Sequence, residues 1–362
     1  MPAVKDDVPT TAATASAPAE ADGFPSGSPS AAAARAVPGA TGNGRAVAAA
    51  SSRVAVLANP YSGTGPNRRR VERLLETLRG RGLEPRVCWT PAKRRAAFEE
   101  SNDFRCAVVA GGDGSIADAI NELERVGRLA DTPLAVLPMG NENLFADELG
   151  FGKHPGPLAA AIESAASRPI DLGSAGGRLF TLMASAGLDA EVVRRMDRWR
   201  TRPTRSSTAS THNGAPDTPQ LRRVNRASYA LRILAALRAY PYPRVVLETD
   251  DGEITGSHAF VFNLPRYGGG LDIAPEARPD DGLLDFVVFQ NPGGLRLLSY
   301  AVDVVRGRHL SRGDVIAGRV PRLRIAGDSP VPVQADGDAA GATPMEVIAR
   351  PAAARVLVMP GE

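Results

Sequence analysis

The sequence predicts an α/β domain with a parallel, three-layer sheet, followed by a mostly antiparallel β domain. In the first half, continuous apolar runs alternate with longer amphipathic segments, which is typical of parallel strands covered by helices on both faces. In the second half, short strand-like runs follow one another between Gly, Pro and Asp residues. Such a succession is typical of an antiparallel sandwich or barrel.

Four strand–helix pairs make up the predicted parallel sheet. Each strand is a short apolar run, and each helix is the amphipathic segment that follows it. The strands are predicted at residues 54–58, 85–89, 106–110 and 134–137, and the helices at 67–81, 92–100, 116–126 and 142–149.

The second half contains five strand-like runs and only two clear helices. The helices are predicted near residues 228–240 and 295–306, and the last strand, near 354–359, is a candidate to return to the first domain. The strand-like runs read RVVLETDD, HAFVFNLP, LLDFVVF, RLRIA and RVLVMP.

Composition divides the chain further. Residues 1–52 are rich in Ala, Pro, Gly, Ser and Thr, which predicts a disordered tail, and residues 201–220 have the same character and predict a disordered insertion. The predicted domains are therefore an α/β domain at 53–172 and a β domain at 173–362.

Charge and cysteine content exclude several classes of protein. The 362 residues carry a formal net charge of only +3, which argues against a nucleic-acid partner. Two cysteines are too few for a disulfide framework and fit a reducing compartment. No apolar run approaches ~20 residues, and the N-terminus lacks the hydrophobic stretch of a secretory signal. We expect a cytoplasmic protein, and the sequence leaves a homodimer open.

Three of the predicted parallel strands end in unusual loops. The loops are NPYSGTG at residues 59–65, GGDGS at 111–115 and PMGNEN at 138–143. Because parallel strands end at one edge of the sheet, the loops are expected to converge there. Glycines let the backbone approach a phosphate, and the following helix offers free N–H groups. Neither GxxxxGK[ST] nor GxGxxG follows these strands, so a different phosphate-binding family is required.

Seven motifs in order carry a resemblance to a known family. The chain resembles the diacylglycerol kinase catalytic-domain family, which includes bacterial lipid kinases and sphingoid-base kinases, from about residue 53 to 360 apart from the insertion. The motifs are NPYSG, GGDGS, the P-x-G-x-x-N loop, PIDLG at 169–173, AGLDAEV at 186–192, GGGLDIAPEARPDDGLLD at 268–285, and DGD at 336–338.

The resemblance implies an ATP-dependent kinase with a Rossmann-like domain for the nucleotide and a β-sandwich domain for metal and lipid. Asp338 falls where the family places a proton-accepting glutamate, and Asp336 where it has an acid in the same turn; Asp113 is the third candidate catalytic group. A Mg²⁺ ion would be held by the Asp281 carboxylate and the backbone carbonyls of Arg278 and Leu283. The residues implied to bind ATP are Asn59, Thr90, Gly111, Gly112, Asp113, Gly114, Ser115, Gly140 and Asn141.

Phosphoryl transfer to an alcohol independently requires these residue types. It needs charge neutralisation on the phosphate and often a carboxylate that accepts the hydroxyl proton, while hard oxygen ligands suit Mg²⁺. Two departures from the family bear on activity: Leu144 stands where the family has an acid, with Glu142 two residues earlier, and Asp338 is one methylene shorter than glutamate.

Three functions are compatible with these residues. The first is a lipid kinase that transfers the γ-phosphate of ATP to diacylglycerol or a similar lipid at the membrane surface. The second is an NAD kinase-like enzyme, which shares a GGDG loop and an Asn-Glu pair such as Asn141 and Glu142. The third is a catalytically silent lipid- or nucleotide-binding regulator, which the departures at Leu144 and Asp338 favour.

Three basic segments have a structural and a functional interpretation. The arginines and lysine at 68–70 and 93–95 could contact phosphates, but solvated helix starts are favoured. The predicted helix at 228–240 has an apolar stripe with arginines alongside. Packing in the core is favoured for it over a position at the membrane surface.

Overall fold

The computed structural model describes residues 51–58, 66–100, 103–200 and 239–360. Four sequence-based predictions lie wholly or almost wholly outside these residues. They are the tail at 1–52, of which only 51 and 52 are described, the loop at 59–65 with Asn59, the insertion at 201–220, and the helix at 228–240.

The first half forms the predicted parallel sheet. Its strands lie in the order β2-β1-β3-β4, and every neighbouring pair is parallel. Strands β1, β3 and β4 are almost wholly buried, which is why they read as continuous apolar runs, whereas the edge strand β2 fully buries only Cys88. The strands are β1 (Arg53–Ala58), β2 (Glu84–Cys88), β3 (Cys106–Gly111) and β4 (Leu134–Pro138).

Within the described residues, five helices accompany this sheet, of which four were predicted. The unpredicted one, Pro155–Ser164, buries small apolar residues and has little contrast between its faces in sequence. The predicted helix at 142–149 covers only Leu144–Glu148, because Asn143 before it has a left-handed φ of 61°. The helices are α1 (Pro66–Gly80), α2 (Pro91–Glu100), α3 (Asp113–Arg125), α4 (Leu144–Glu148) and α5 (Pro155–Ser164).

The second half forms the predicted antiparallel sandwich. One face is a six-stranded sheet in the order β14-β13-β10-β7-β16-β17, in which all pairs are antiparallel. Its strands are β7 (Met183–Ala186), β10 (His258–Phe262), β13 (Leu284–Phe289), β14 (Val315–Val320), β16 (Pro332–Ala335) and β17 (Asp338–Ala342).

The other face continues the parallel sheet. The long last strand, β18, pairs in parallel with β4 through Val356 and Leu134, and antiparallel with β5 and β15. A cluster of buried apolar side chains from both sheets fills the sandwich. The remaining strands are β5 (Ser167–Ala175), β6 (Arg178–Phe180), β8 (Val245–Thr249), β9 (Gly252–Gly256), β11 (Arg266–Tyr267), β12 (Leu271–Asp272), β15 (Arg322–Gly327) and β18 (Met345–Leu357).

The helices of the second half require one correction. The predicted helix at 295–306 is present as α7 (Gly294–Val305), but α6 (Leu188–Arg200) follows β7 and was not predicted. Its many charged residues obscure the apolar pattern in the sequence. Leu188, Val192 and Met196 lie on one side of the helix and pack in a small buried apolar cluster. A short 3₁₀ helix, His309–Ser311, follows α7. No helix in the described ranges is long and apolar enough to cross a membrane.

Candidate nucleotide and acceptor sites

The GGDGS loop joins β3 to α3 and is open on one side. A Cβ on Gly111 would lie 2.4 Å from Cβ and Oγ of Ser115, so only glycine fits there. A Cβ on Gly112 would lie 2.7 Å from Cα of Gly140, so the loops after β3 and β4 touch backbone to backbone. A Cβ on Gly114 would meet nothing within 4 Å. The loop therefore presents open backbone at the N-terminus of a 13-residue helix, the geometry that suits a phosphate.

Asp113 holds the two loops together. Its carboxylate accepts hydrogen bonds from the backbone N–H groups of Leu144 (3.2 Å) and Phe145 (3.0 Å), and thus satisfies donors in the first turn of α4. Burial raises the pKa of Asp113 above its usual range, and the two hydrogen bonds oppose that shift. These contacts assign Asp113 a positioning role in the loop pair.

The loop after β4 is shaped by Asn143. Its Oδ1 accepts the Gly140 N–H at 2.6 Å and its Nδ2 donates to the Gly140 carbonyl at 3.2 Å. This closed turn leaves Asn141 and Glu142 exposed at its tip. Glu142 Oε2 accepts the Gly269 N–H at 2.9 Å, so the tip is tied to the second half of the chain.

The start of α2 lies at the same edge of the sheet. The Thr90 hydroxyl accepts the Lys93 N–H at 3.3 Å and caps the helix. The prediction that the basic segment 93–95 is solvated is wrong for Arg94. This residue is buried, and its Nη2 donates a hydrogen bond to the Ala58 carbonyl at 3.2 Å. Burial lowers the pKa of Arg94, and its Nε has no hydrogen-bond partner among the described residues. Spacing alone could not reveal this, because the cation lies against the end of β1.

Asp336 anchors the acidic turn between β16 and β17. Its two carboxylate oxygens accept four hydrogen bonds, from the N–H and hydroxyl of Thr181 (2.6 and 2.8 Å) and the N–H groups of Leu182 (2.9 Å) and Met183 (3.1 Å). Burial raises the pKa of Asp336, and these hydrogen bonds oppose the shift. Both oxygens of this candidate catalytic residue are thus engaged in holding the turn.

Asp338 differs from Asp336 because its carboxylate is half-exposed. Oδ2 lies 2.7 Å from Nη2 of Arg178, which orients the carboxylate by a charge-assisted hydrogen bond. The neighbouring residue Leu179 exchanges two hydrogen bonds with the Asn121 side chain of α3, at 2.9 and 3.0 Å. The acidic turn is thus connected to the helix that begins at the glycine loop.

The loop of the predicted metal ligands is held by Asp171. This buried carboxylate accepts the Gly282 N–H at 2.6 Å. Asp281 and Arg278 are exposed and Leu283 is half-buried, and one Asp281 oxygen accepts the Leu283 N–H at 3.0 Å. Across the described ranges, there is no group of three or more His, Cys, Asp or Glu side chains that could hold a metal ion. One carboxylate with backbone carbonyls and water still fits Mg²⁺.

An apolar cavity that the sequence did not predict lies under α7. Its volume is about 370 Å³, within the range of small-molecule sites. Residues of α6, α7, β10, β11, β12 and β13 line it, so no local sequence motif could predict it. Its apolar lining includes Leu188, Val192, Phe260, Phe289, Tyr300 and Val304.

Asp189 is a buried carboxylate in the wall of this cavity. Oδ2 accepts hydrogen bonds from the Ser185 hydroxyl and from Nε2 of Gln334 (3.2 Å), while Oδ1 has no partner among the described residues. Burial raises the pKa of Asp189. The Gln334 Oε1 accepts the Gly337 N–H at 2.8 Å, so a hydrogen-bonded path runs from the cavity wall to the acidic turn.

His258 also lines the cavity and is held neutral. Burial lowers its pKa to about 4, and its Nδ1 lies 2.9 Å from the Ser257 hydroxyl. Below pH 6.5 the unfolded chain binds a proton at this residue and the folded chain does not. The free energy of unfolding therefore decreases as the pH is lowered from 6.5 to about 4.

We expect His258→Gln to remove this acid sensitivity. Between pH 6.5 and 4, the wild type should lose about 3 kcal/mol more unfolding free energy than the variant. Urea unfolding at both pH values measures the difference. An equal loss in both proteins would contradict a neutral, buried His258.

Two family models match the chain in succession. The diacylglycerol kinase catalytic domain matches residues 53–175, and the YegS C-terminal NAD kinase beta sandwich-like domain matches residues 207–358. The first match contains the glycine loop and Asp113, and the second contains the acidic turn and the loop of Asp281.

Individual proteins agree with the two models. A probable lipid kinase YegS-like protein of Pseudomonas aeruginosa is 29% identical over 281 residues, covering 76% of this chain and 85% of that protein. A diacylglycerol kinase of Mycobacterium tuberculosis is 29% identical over 318 residues, covering 84% and 94%. The crystal structure of a putative diacylglycerol kinase from Bacillus anthracis superposes with a TM-score of 0.61 at 18% identity, covering 85% and 97%. This last likeness concerns the fold.

Proposed function

We propose that this chain transfers the γ-phosphate of ATP to a lipid hydroxyl, because its residues 53–175 match the diacylglycerol kinase catalytic domain. Diacylglycerol or a similar lipid is the proposed acceptor. The observation that carries the proposal is the hydrogen-bonded path through Gln334, which joins an apolar cavity to the turn of Asp338. An acceptor with an apolar chain and a hydroxyl head matches these two surfaces.

The proposed nucleotide site is the edge where the loops after β3 and β4 meet. The glycine loop from Gly111 to Ser115 receives the phosphates, with Gly140 and Asn141 on the neighbouring loop and Thr90 at the start of α2. Asp113 keeps the two loops in register. Asn59 belongs to the same proposal through the family motif alone.

The proposed metal ion is Mg²⁺, held by the Asp281 carboxylate and the carbonyls of Arg278 and Leu283. When bound, the ion supplies positive charge that neutralises phosphate oxygens. The exposed Asp281 carboxylate and its anchorage by Asp171 support this assignment.

In the proposed reaction, the lipid hydroxyl oxygen forms a bond to the γ-phosphorus while the bond from phosphorus to the β–γ bridging oxygen breaks. ADP leaves with the electron pair of that bond, and Asp338 accepts the hydroxyl proton. Arg178 orients the carboxylate for this step. Asp336 takes part only by fixing the turn.

Occlusion of the cavity tests the acyl site. Ala301 lines the cavity and is exposed, so Ala301→Trp fills the entrance without demanding space in the core. We expect the KM for a long-chain diacylglycerol to rise at least ~10-fold, the scale of losing good apolar contacts, with the KM for ATP unchanged. Ala301→Ser is the matched control. An unchanged lipid KM in Ala301→Trp would place the acyl chain elsewhere.

One assay separates the three candidate functions. Purified protein is incubated with γ-labelled ATP and Mg²⁺, and with either diacylglycerol in mixed micelles or NAD. Label in the organic phase supports the lipid kinase, and labelled dinucleotide supports the NAD kinase-like alternative. No transfer to either acceptor leaves the silent regulator and refutes the proposal. The apolar lining of the cavity favours the lipid.

A further inference from the structure

The outer face of α7 carries an unusual apolar stripe. Leu295, Leu298, Val302 and Val305 are 88%, 62%, 39% and 72% exposed. Their spacing of three, four and three residues places them on one side of the helix. Leu310, just beyond the helix, is a fifth large exposed apolar residue. Scattered exposed leucines need no explanation, but a contiguous row marks an interaction surface.

The opposite face of α7 packs against the core of the protein. Tyr300 and Val304 are buried there, and Leu297 packs against the core. The outer stripe is thus apolar surface beyond what packing of the helix requires. A helix that is apolar on opposite sides is expected only where both sides meet an apolar phase.

Positive charge lies at the end of the stripe. Arg306 and Arg308 follow the helix, are exposed, and make no ion pair among the described residues. The acids nearby are compensated, because Arg312 lies 2.5 Å from Asp303 and 2.8 Å from Asp314. An apolar stripe with uncompensated arginines is complementary to an anionic lipid surface, and less so to a neutral one.

The stripe also borders the cavity. Leu298 lines the cavity and is at the same time 62% exposed, so it lies at the boundary between the cavity and the outer face. A lipid surface against the stripe would therefore adjoin the cavity that takes the acyl chain in the proposed function.

We propose that the outer face of α7, with Arg306 and Arg308, docks on an anionic lipid surface and sets the cavity against it. The docking itself stands on the stripe and its charges. Only the delivery of acceptor lipid to the cavity rests on the proposed function.

Vesicle co-sedimentation of the full chain tests the docking. The vesicles are phosphatidylcholine alone, or with about 30% phosphatidylglycerol. We expect the wild type to bind the anionic vesicles at least ~10-fold more tightly than the neutral ones. The double variants Leu295→Glu/Val305→Glu and Arg306→Glu/Arg308→Glu should each lose at least ~10-fold in affinity. The matched control, Arg73→Glu/Arg79→Glu on exposed positions of α1, makes the same charge change and should bind like the wild type.

A second measurement keeps docking and catalysis apart. With a short-chain diacylglycerol dissolved in detergent micelles, the docking variants should keep the wild-type kcat, since none of the four residues lines the cavity. No turnover by the wild type on any lipid would refute the kinase proposal and leave the vesicle result standing.

Three outcomes would overturn the docking proposal. The first is a wild type that ignores anionic vesicles, or double variants that bind them undiminished. The second is a melting temperature for Leu295→Glu/Val305→Glu several degrees below the wild type, which would mean that the stripe packs within the molecule. The third is a wild-type dimer that this variant dissociates, which would assign the stripe to a second copy of the chain.

Discussion

Asp338→Asn is expected to lower kcat for lipid phosphorylation at least ~100-fold, the scale of losing a general base. The amide cannot accept the hydroxyl proton, yet it keeps the shape of the side chain and one oxygen near Arg178. The KM for ATP should stay within about twofold, because the residue acts on the acceptor. Steady-state kinetics with diacylglycerol micelles measure both constants.

Asp338→Glu is the informative control for this prediction. It restores the residue that the family places at this position and keeps the negative charge for Arg178. We expect it to retain turnover within about tenfold of the wild type. Wild-type turnover in Asp338→Asn would remove Asp338 from the reaction and direct attention to Asp189, the buried carboxylate of which one oxygen has no partner in the described part of the chain.

Asp336→Ala is expected to cost about 3 to 5 kcal/mol of unfolding free energy. The change leaves the N–H groups of Thr181, Leu182 and Met183 without their acceptor in a buried segment, and each unsatisfied buried donor costs roughly 1 to 3 kcal/mol. Urea unfolding at pH 7 measures the loss.

A matched control separates this effect from the loss of any surface charge. Asp250 is exposed and lies 3.4 Å from exposed Arg322, so Asp250→Ala should change stability by less than about 0.5 kcal/mol. If Asp336→Ala proves as stable as Asp250→Ala while turnover collapses, the structural role of Asp336 is wrong and a direct catalytic role is favoured.

Much of the first domain could be read from the chain. Strands β1, β3 and β4 are almost wholly buried, so each appears as an unbroken apolar run, and close contacts explain the glycines at 111, 112 and 140 in the loops after β3 and β4. Gly112 against Gly140 is the clearest case, because a Cβ at either position would enter the other backbone. Helix α5 escaped because alanines carry little amphipathic signal, and α6 because charged residues dominate its sequence.

The roles of the carboxylates in the candidate site could not be predicted from the sequence. Asp113, Asp336 and Asp338 are equal in the motifs, but in the fold the first caps α4, the second holds residues 181–183 and the third stays half-exposed beside Arg178. Arg94 is likewise expected to be solvated from its sequence context, but in the fold it donates a hydrogen bond to the Ala58 carbonyl at the end of β1. Each distinction depends on a partner at least 30 residues away in the chain.

By itself, the sequence determined the parallel sheet, the antiparallel sandwich and the resemblance to the diacylglycerol kinase catalytic-domain family, because these depend on local periodicity and on motifs within single loops. The tertiary structure alone decided which acids are saturated with hydrogen bonds and which stay half-exposed, where an apolar cavity lies, and which helix turns leucines to the outside. The physical reason is that burial, hydrogen-bond saturation and cavity shape arise only when distant segments pack together. The residue type in a motif indicates which chemistry the side chain can perform, and the residues around it in the fold decide which role it has.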